Sequence, residues 1–361
     1  MRIAVLGVGL IGGSIGLAAR QRVEGAEVSG WDPDADLLAR AVERGAIGEV
    51  GETIAAAVSG AEVIFCAAPV GVLPALAAAA LSEAGEDAAV TDVGSVKGDV
   101  VAALGQDPRF VGGHPLAGAE TSGVDNARAD LFDGAGWYLT PTPLTGGVVY
   151  DRVQRVVAEI GARPQAIDAA EHDRLMATVS HLPHVLANVL VEQAAESLAT
   201  GDGERLPEIG PSFRDATRVA GANPAIWGDI FGGNRDALAA EVDAVAARLR
   251  HAAELIRKAD TGGLGAWQGE AREARRGLLE ADLAGGPLVE LRLMVPNRPG
   301  IVAELALALG RAGVNIEDMA LHPAADMKTG AVSLFVAGEG EAGRAAELVR
   351  ELGHDVSRLE R

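Results

Sequence analysis

Lysine is almost missing from this sequence: three residues, Lys97, Lys258 and Lys328, so nearly all of its 31 basic side chains are arginine. Basic residues are also few against 51 acids, and the net charge of −20 excludes the broad basic face that nucleic acid or an anionic membrane needs. A chain this acidic that takes a small anion must place individual arginines deliberately. A single cysteine, Cys66, excludes an intramolecular disulfide framework, and its apolar surroundings (Val63–Ala68) make it a small buried thiol. No run of roughly eighteen apolar residues is present to span a bilayer, and the alanine-rich Val72–Leu81 is too short. MRIAVLGVG reads as a strand running into glycines and not as a secretory leader, so the chain is expected to be soluble and cytoplasmic. Glycine and proline, 47 and 16, stay below the low-complexity range, and 361 residues exceed one ordinary core.

What is present falls into three regions. The first alternates β-branched runs with alanine-rich stretches: Arg2–Leu6, Glu27–Trp31, Val63–Ala67, Ala89–Val93, Arg109–Val111, Gly136–Leu139 and Pro164–Ile167 predict strands of parallel βαβ units. From about Ala169 the period becomes helical, over His172–Thr200, Phe213–Ala220 and Asn234–Lys258, and so apolar a block is expected to pack against a partner subunit as well. After Gly285–Pro287 strands return. LVELRLMVP alternates, Ile301–Ala312 and Glu341–Leu352 are amphipathic, Val314–Leu321 and Ala331–Ala337 are extended, and a short terminal strand completes a β-α-β-β-α-β, ferredoxin-like order.

Gly7, Gly9 and Gly12 form GxGxxG between the first strand and the helix that begins at Leu10 and Ile11. The first glycine allows the tight turn, the second lets a pyrophosphate approach the backbone at the helix N-terminus, and the third brings helix and strand together. Asp32, twenty positions beyond Gly12, ends the second strand, where a carboxylate accepts from ribose hydroxyls. Pro33, Asp34 and Ala35 follow it with no arginine for a 2′-phosphate, so NAD is expected over NADP.

The chemistry-bearing stretch is Val111–Gly123, VGGHPLAGAETSG, in which His114 is displayed on a Gly/Pro-rich turn as a polarisable base. DVGSVKG (Asp92–Gly98) offers Ser95, which suits orienting a base or a substrate hydroxyl, and Lys97, equally readable as a solvated loop lysine. In SHLPH, Ser180 and His184 share a helix face while His181 points elsewhere; without cysteines or an H-E-x-x-H spacing no metal is expected. In FRDATR, Arg214 and Arg218 lie four apart. They either pair with acids such as Asp215 or Glu120 or clamp a substrate carboxylate.

GVGLIGGS, DVGSVKG, GGHPLAGAETSG, SHLPH and FRDATRVAGANPAIWGDIF, in this order, resemble the prephenate dehydrogenase family of tyrosine biosynthesis over essentially the whole chain. NRPG followed by GVNIEDM looks like an ACT module, a regulatory amino-acid-binding domain. The resemblance implies an α/β fold in three parts. These are a Rossmann-type dinucleotide-binding domain (1–168), an all-α, 6-phosphogluconate-dehydrogenase-like substrate and dimerisation domain (169–284), and a ferredoxin-like βαββαβ ACT domain (285–361). It implies oxidative decarboxylation of prephenate to 4-hydroxyphenylpyruvate with reduction of NAD, by a homodimer. His114 would accept the proton of the ring hydroxyl and Ser95 would hold that geometry. Ser180 and His184 would line the substrate side, with Arg214 and Arg218 for a carboxylate and Glu120 as Arg218's partner. Asp215 and Trp227 match the motif as supports. Asn297, Arg298, Pro299, Gly300, Asn315 and Ile316 would bind an effector, expected to be tyrosine. Ala119 stands where some members have threonine, and arogenate, with an amine for the keto group, is the alternative substrate. Other classes fit less well. A phosphoglycerate-type dehydrogenase with an ACT tail carries its glycine fingerprint well inside the chain, and a β-hydroxyacid dehydrogenase needs a catalytic lysine where only Lys258 is found. An amino-acid-sensing protein without enzymatic activity would not need His114, Ser95 and Arg218 together.

Overall fold

The computed structural model describes residues 1–118, 121–198, 210–281, 288–296, 298–323 and 329–358. Ala119, Glu120 and Asn297 lie outside the described residues. The chain forms two compact units, 1–248 and 249–361.

The first unit opens with β1 (Arg2–Leu6), α1 (Leu10–Arg22), β2 (Glu27–Trp31), α2 (Ala35–Glu43), β3 (Glu49–Val50) and α3 (Ile54–Val58). It continues through β4 (Val63–Cys66), α4 (Leu73–Glu83), β5 (Ala89–Asp92), α5 (Gly98–Leu104), β6 (Phe110–Pro115), β7 (Gly136–Thr140), α6 (Gly147–Glu159) and β8 (Arg163–Ala166). The eight strands order as β3-β2-β1-β4-β5-β6-β7-β8. The crevice between β1 and β4, where the chain direction of winding reverses, is the position at which such sheets take ligands. Period-two alternation in the strands decides which helices cover which face. Ile3, Val5, Val63 and Phe65 pack with Ile15, Ala19, Val153 and Val157 of α1 and α6. Ala4, Leu6, Ile64 and Cys66 pack with Val58, Ala77, Leu81 and Val100 on the opposite face. Burying a side chain such as Phe65 completely contributes about 1.5–3 kcal/mol.

Two expectations need correction. The sheet is mixed, because β6 runs antiparallel to β7. A parallel neighbour needs a crossover element, usually a helix, and between Pro115 and Gly136 the described residues form only a short 3₁₀ turn, Val124–Asn126. The strand expected to end at Val111 also continues to Pro115, so His114 sits on a strand, opposite Tyr138. Gly112 and Gly113 mark close approaches inside that strand and not a turn. A Cβ on Gly112 would meet Thr140 Oγ1 at 2.3 Å, and one on Gly113 would meet the Asp92 carbonyl at 2.5 Å.

Beyond the sheet come α7 (Ala169–Met176), a π-helical turn (Ala177–His181), α8 (Leu182–Leu198), α9 (Pro211–Thr217), a 3₁₀ turn (Arg218–Gly221), α10 (Pro224–Gly233) and α11 (Arg235–Arg257). Asp168 caps α7 by accepting from Ala170 and Glu171 N–H groups, and Asn223 caps α10.

The second unit contains α12 (Thr261–Ala281), β9 (Leu288–Pro296), α13 (Ile301–Arg311), β10 (Asp318–Pro323), β11 (Thr329–Ala337), α14 (Glu339–Glu351) and β12 (Val356–Arg358). Its antiparallel sheet orders as β10-β11-β9-β12. Alternation in β9 sends Val289, Leu291, Leu293 and Val295 into a core with Ile301, Leu305 and Leu309 of α13 and Ala345 and Val349 of α14. Glu290 and Arg292, between them, form an ion pair at 2.9 Å. No described helix is long and apolar enough to cross a membrane.

Candidate active site

The three glycines after β1 divide their work as their surroundings dictate. Gly7 has φ +94°, and a Cβ there would stand 2.2 Å from the Ala67 carbonyl beyond β4. A Cβ on Gly12 would lie 1.9 Å from the Gly7 carbonyl and 2.9 Å from Val5, so α1 can reach β1 only without a side chain. Gly9 has open space within 4 Å of its would-be Cβ. It begins α1 with no side-chain cap and no acid in the first turn. Backbone N–H groups at this N-terminus, including those of Leu10 and Ile11, are left to an anion. Asp32 fastens the loop from the next strand: Oδ2 accepts from Val8 N–H at 3.0 Å and Oδ1 from Asp34 N–H at 3.0 Å. An open glycine, an uncapped helix start and a carboxylate at the second strand's end fit an adenine dinucleotide.

Beyond the carboxyl ends of β5 and β6 lies a buried polar cluster. Asp92 and Lys97 form an ion pair with both side chains wholly out of solvent. Between them they grip the residue before His114. Gly113 N–H donates to Asp92 Oδ1 at 3.0 Å, and Lys97 Nζ donates to the Gly113 carbonyl at 2.7 Å. Asp92 Oδ2 also accepts from Gly94 N–H at 2.8 Å. Lys97 is therefore no solvated loop lysine. Burial pulls its ammonium below the usual value, and Asp92 opposes that pull.

His114 makes its hydrogen bond with His172 of α7, Nδ1 to Nε2 at 2.9 Å. The expected orienting partner, Ser95, is half-buried on the loop between Gly94 and Lys97 and hydrogen-bonds to no described residue. Behind His172, Nδ1 meets Asp173 Oδ1 at 2.8 Å. Asp173 is held in turn by the start of α5, accepting from Lys97 N–H at 2.8 Å and Gly98 N–H at 2.7 Å. Burial, reinforced by His172, Lys97 and His181, pushes His114 well below the ordinary imidazole value of 6.5. It is a neutral imidazole at pH 7.

Leaving α7, the π-helical turn carries Ser180 and His181, and His184 follows in the first turn of α8. His181 is buried, with Nδ1 3.0 Å from Asn234 Nδ2, and burial lowers it to about 4 although Asp173 opposes the shift. Its Nε2 has no partner among the described residues. His184 stacks on Trp227 of α10 with ring centroids 3.4 Å apart, and its Nδ1–H donates to the Ser180 carbonyl at 3.1 Å. Burial lowers His184 as well, the Ser180 contact opposing it and the Arg218 guanidinium adding to it. Ser180 thus contributes its carbonyl to His184, and the Arg218 charge is felt there. Arg214 is exposed on α9, which ends at Thr217, so Arg218 belongs to the next turn and not to the same helix.

His172, Asp173, Asp92 and Asn234 were absent from the residues expected at the site. An adjacent His-Asp pair inside an amphipathic helix was the available signal, since neither residue belongs on an apolar face without a partner.

In the second unit, Gly300 takes φ +89° at the start of α13, and Arg298 pairs with Glu304. Asn315 Nδ2 donates to Glu317 Oε1 at 2.7 Å, and Ile316 packs against the core. Pro299 is exposed.

Sequence comparison assigns two family descriptions to the chain. The prephenate dehydrogenase nucleotide-binding domain matches residues 15–166, and the prephenate dehydrogenase dimerization domain matches residues 168–270. The prephenate dehydrogenase of Bacillus subtilis is 30% identical over 323 residues, covering 88% of this chain and 87% of that protein. Among solved structures, prephenate dehydrogenase of Aquifex aeolicus, in complex with hydroxyphenyl propionate and NAD+, is similar with a TM-score of 0.71 and 31% identity, over 77% of this chain and 98% of that one. Synechocystis arogenate dehydrogenase is similar with a TM-score of 0.67 and 28% identity, over 76% and 99%.

Proposed function

The chain belongs to the prephenate dehydrogenase family and is an NAD-dependent oxidoreductase of that kind, and we propose that His114 is the base that takes the proton from the ring hydroxyl of prephenate. The reaction oxidises and decarboxylates prephenate to 4-hydroxyphenylpyruvate and CO2. NAD, held by the Gly7–Gly12 loop, the α1 N-terminus and Asp32, supplies the hydride acceptor. The single observation that carries the role of His114 is its placement: a neutral, largely buried imidazole on β6 at the carboxyl edge of the sheet. A neutral base there accepts the hydroxyl proton as C4 becomes a carbonyl-like and then aromatic centre, and aromatisation drives loss of the carboxylate. The protein's work is alignment and proton removal.

Around that base the remaining roles follow from position. Ser95 lies free to hydrogen-bond the substrate hydroxyl. Ser180 and His184 line the substrate side, with His184 held flat by Trp227. Arg218 binds a substrate carboxylate, and Arg214, exposed on α9, adds positive charge toward it. Glu120 is assigned as Arg218's partner by the family resemblance alone. The division into residues 1–168, 169–284 and 285–361 follows the change from alternating to helical to alternating pattern. Exposed Val189, Leu190 and Val191 on α8 support a homodimer formed through the helical region. The βαββαβ order of the second unit supports an ACT module, with tyrosine as its effector near Arg298, Pro299, Gly300, Asn315 and Ile316 and, from the sequence, Asn297.

Arogenate is the second reading, favoured by the likeness to an arogenate dehydrogenase. NADH and NADPH formation measured with prephenate and with arogenate, each with and without tyrosine, tests the substrate, cofactor and effector together. Prephenate with NAD is expected to give the highest kcat/KM, lowered by tyrosine. His114→Asn is expected to lower kcat by about 10²–10⁴-fold with little change in KM; near-normal turnover removes His114 as the base.

A further inference from the structure

Neutral imidazole has two tautomers, and only one of them makes His114 a base at Nε2. The contacts behind His114 select that tautomer. Asp173 accepts from two backbone N–H groups at the start of α5, Lys97 N and Gly98 N, and its Oδ1 lies 2.8 Å from His172 Nδ1. An oxygen that already accepts a backbone N–H offers only lone pairs to His172 Nδ1. His172 must then carry its proton on Nδ1. In a neutral imidazole that donates at Nδ1, Nε2 is a bare acceptor. That acceptor lies 2.9 Å from His114 Nδ1, which must donate. Nε2 of His114 is left as the lone pair, with no partner among the described residues.

We propose that Asp173 and His172 are positioning residues that hold His114 as its Nδ1–H tautomer, so that Nε2 is the proton acceptor in the reaction. The proposal rests on His114 being the base and adds what makes it one. Burial of His172, whose ring is also met edge-on by Tyr138 at 5.7 Å, keeps the relay dry and its ring orientation single. The arrangement requires no proton transfer along the chain. When His114 takes the substrate proton, its Nδ1–H continues to donate to His172.

The test begins with the intact wild-type enzyme, labelled with ¹⁵N at histidine, read at pH 7.5 with NAD bound. His114 is expected to show a protonated Nδ1 and an unprotonated Nε2, and His172 the same pattern. An Nε2–H tautomer at His114 overturns the proposal, whatever the variants do. In Asp173→Asn the single amide oxygen cannot serve all three donors, and an NH₂ turned toward His172 reverses both tautomers. Turnover is expected to fall by about 10²–10⁴-fold, with NAD affinity unchanged and His114 shifted to Nε2–H. His172→Gln places an oxygen where Nε2 stood and is expected to keep kcat within about ten-fold, while His172→Leu loses it as Asp173→Asn does. Equal kcat in Gln and Leu variants that both fold, or wild-type turnover in Asp173→Asn, also overturns the proposal. His114→Asn separates the two ideas. Intact turnover there refutes His114 as the base, while the tautomer seen in the wild-type spectrum answers the positioning question by itself.

Discussion

Replacing Lys97 by Met isolates the device that grips the strand carrying His114. Methionine fills nearly the same volume, so no cavity opens, and the loss is electrostatic and hydrogen-bonding. Asp92 keeps its two backbone donors, Gly113 N–H at 3.0 Å and Gly94 N–H at 2.8 Å, but stands wholly buried without a counter-charge. The Gly113 carbonyl loses its donor at 2.7 Å. Removing one partner of a buried ion pair costs about 3–5 kcal/mol, of which the orphaned carbonyl is about 1 kcal/mol. In a unit of this size that is a fall in Tm of about 6–20 °C, read by thermal melts at pH 7. The pH dependence carries the sharper signature. In the variant the uncompensated carboxylate is relieved by taking up a proton, so its folded-state affinity for protons exceeds that of the unfolded chain. Stability deficit is then greatest near pH 8 and shrinks toward pH 5. Asp92→Asn in the same chain is expected to recover part of the loss. A deficit below about 1 kcal/mol, or one that does not change with pH, refutes the reasoning.

The cofactor loop separates folding from binding. Gly12→Ala drives a Cβ into the Gly7 carbonyl and should cost about 1–3 kcal/mol in urea unfolding, whereas Gly9→Ala meets nothing and should weaken NAD binding at unchanged stability. Equal effects of the two on stability would contradict the assigned roles. His114 and His181 refuse protons that the unfolded chain accepts, so stability should fall as pH drops from 6.5 toward about 4, and His181→Gln should flatten that slope; an unchanged urea midpoint profile counts against the burial described. The acid limb of kcat/KM, which reports the free enzyme's base, should lie below pH 6.5 for the same reason, and a limb at or above that value would place the proton acceptor elsewhere. Arg218→Ala should raise KM for prephenate at least ten-fold, as loss of a charge-assisted contact worth about 1.5–3 kcal/mol predicts, while an unchanged KM removes the clamp.

Much of this was legible in the sequence, because it is written in local pattern. The unbroken apolar runs IAVL and VIFC mark strands buried on both faces, and Gly7, Gly9 and Gly12 declare a turn, an open approach and a close packing before any fold is known. Even there the local reading erred once. Locally Gly112 and Gly113 read as a turn, but in the fold they are pressed against Thr140 and Asp92, contacts formed with β7 and β5. The antiparallel β6–β7 pairing escaped for a related reason, since a missing crossover helix is weaker evidence than a present one.

By itself, then, the sequence determined the glycine loop after the first strand, the display of His114 among small residues and the succession of alternating and helical regions, since those are written in short local stretches. The tertiary structure alone decided which nitrogen of His114 is free. His172 lies 58 positions from His114, and Asp173 lies 76 from Lys97. A tautomer is set by hydrogen bonds across such separations, and no spacing along the chain encodes them.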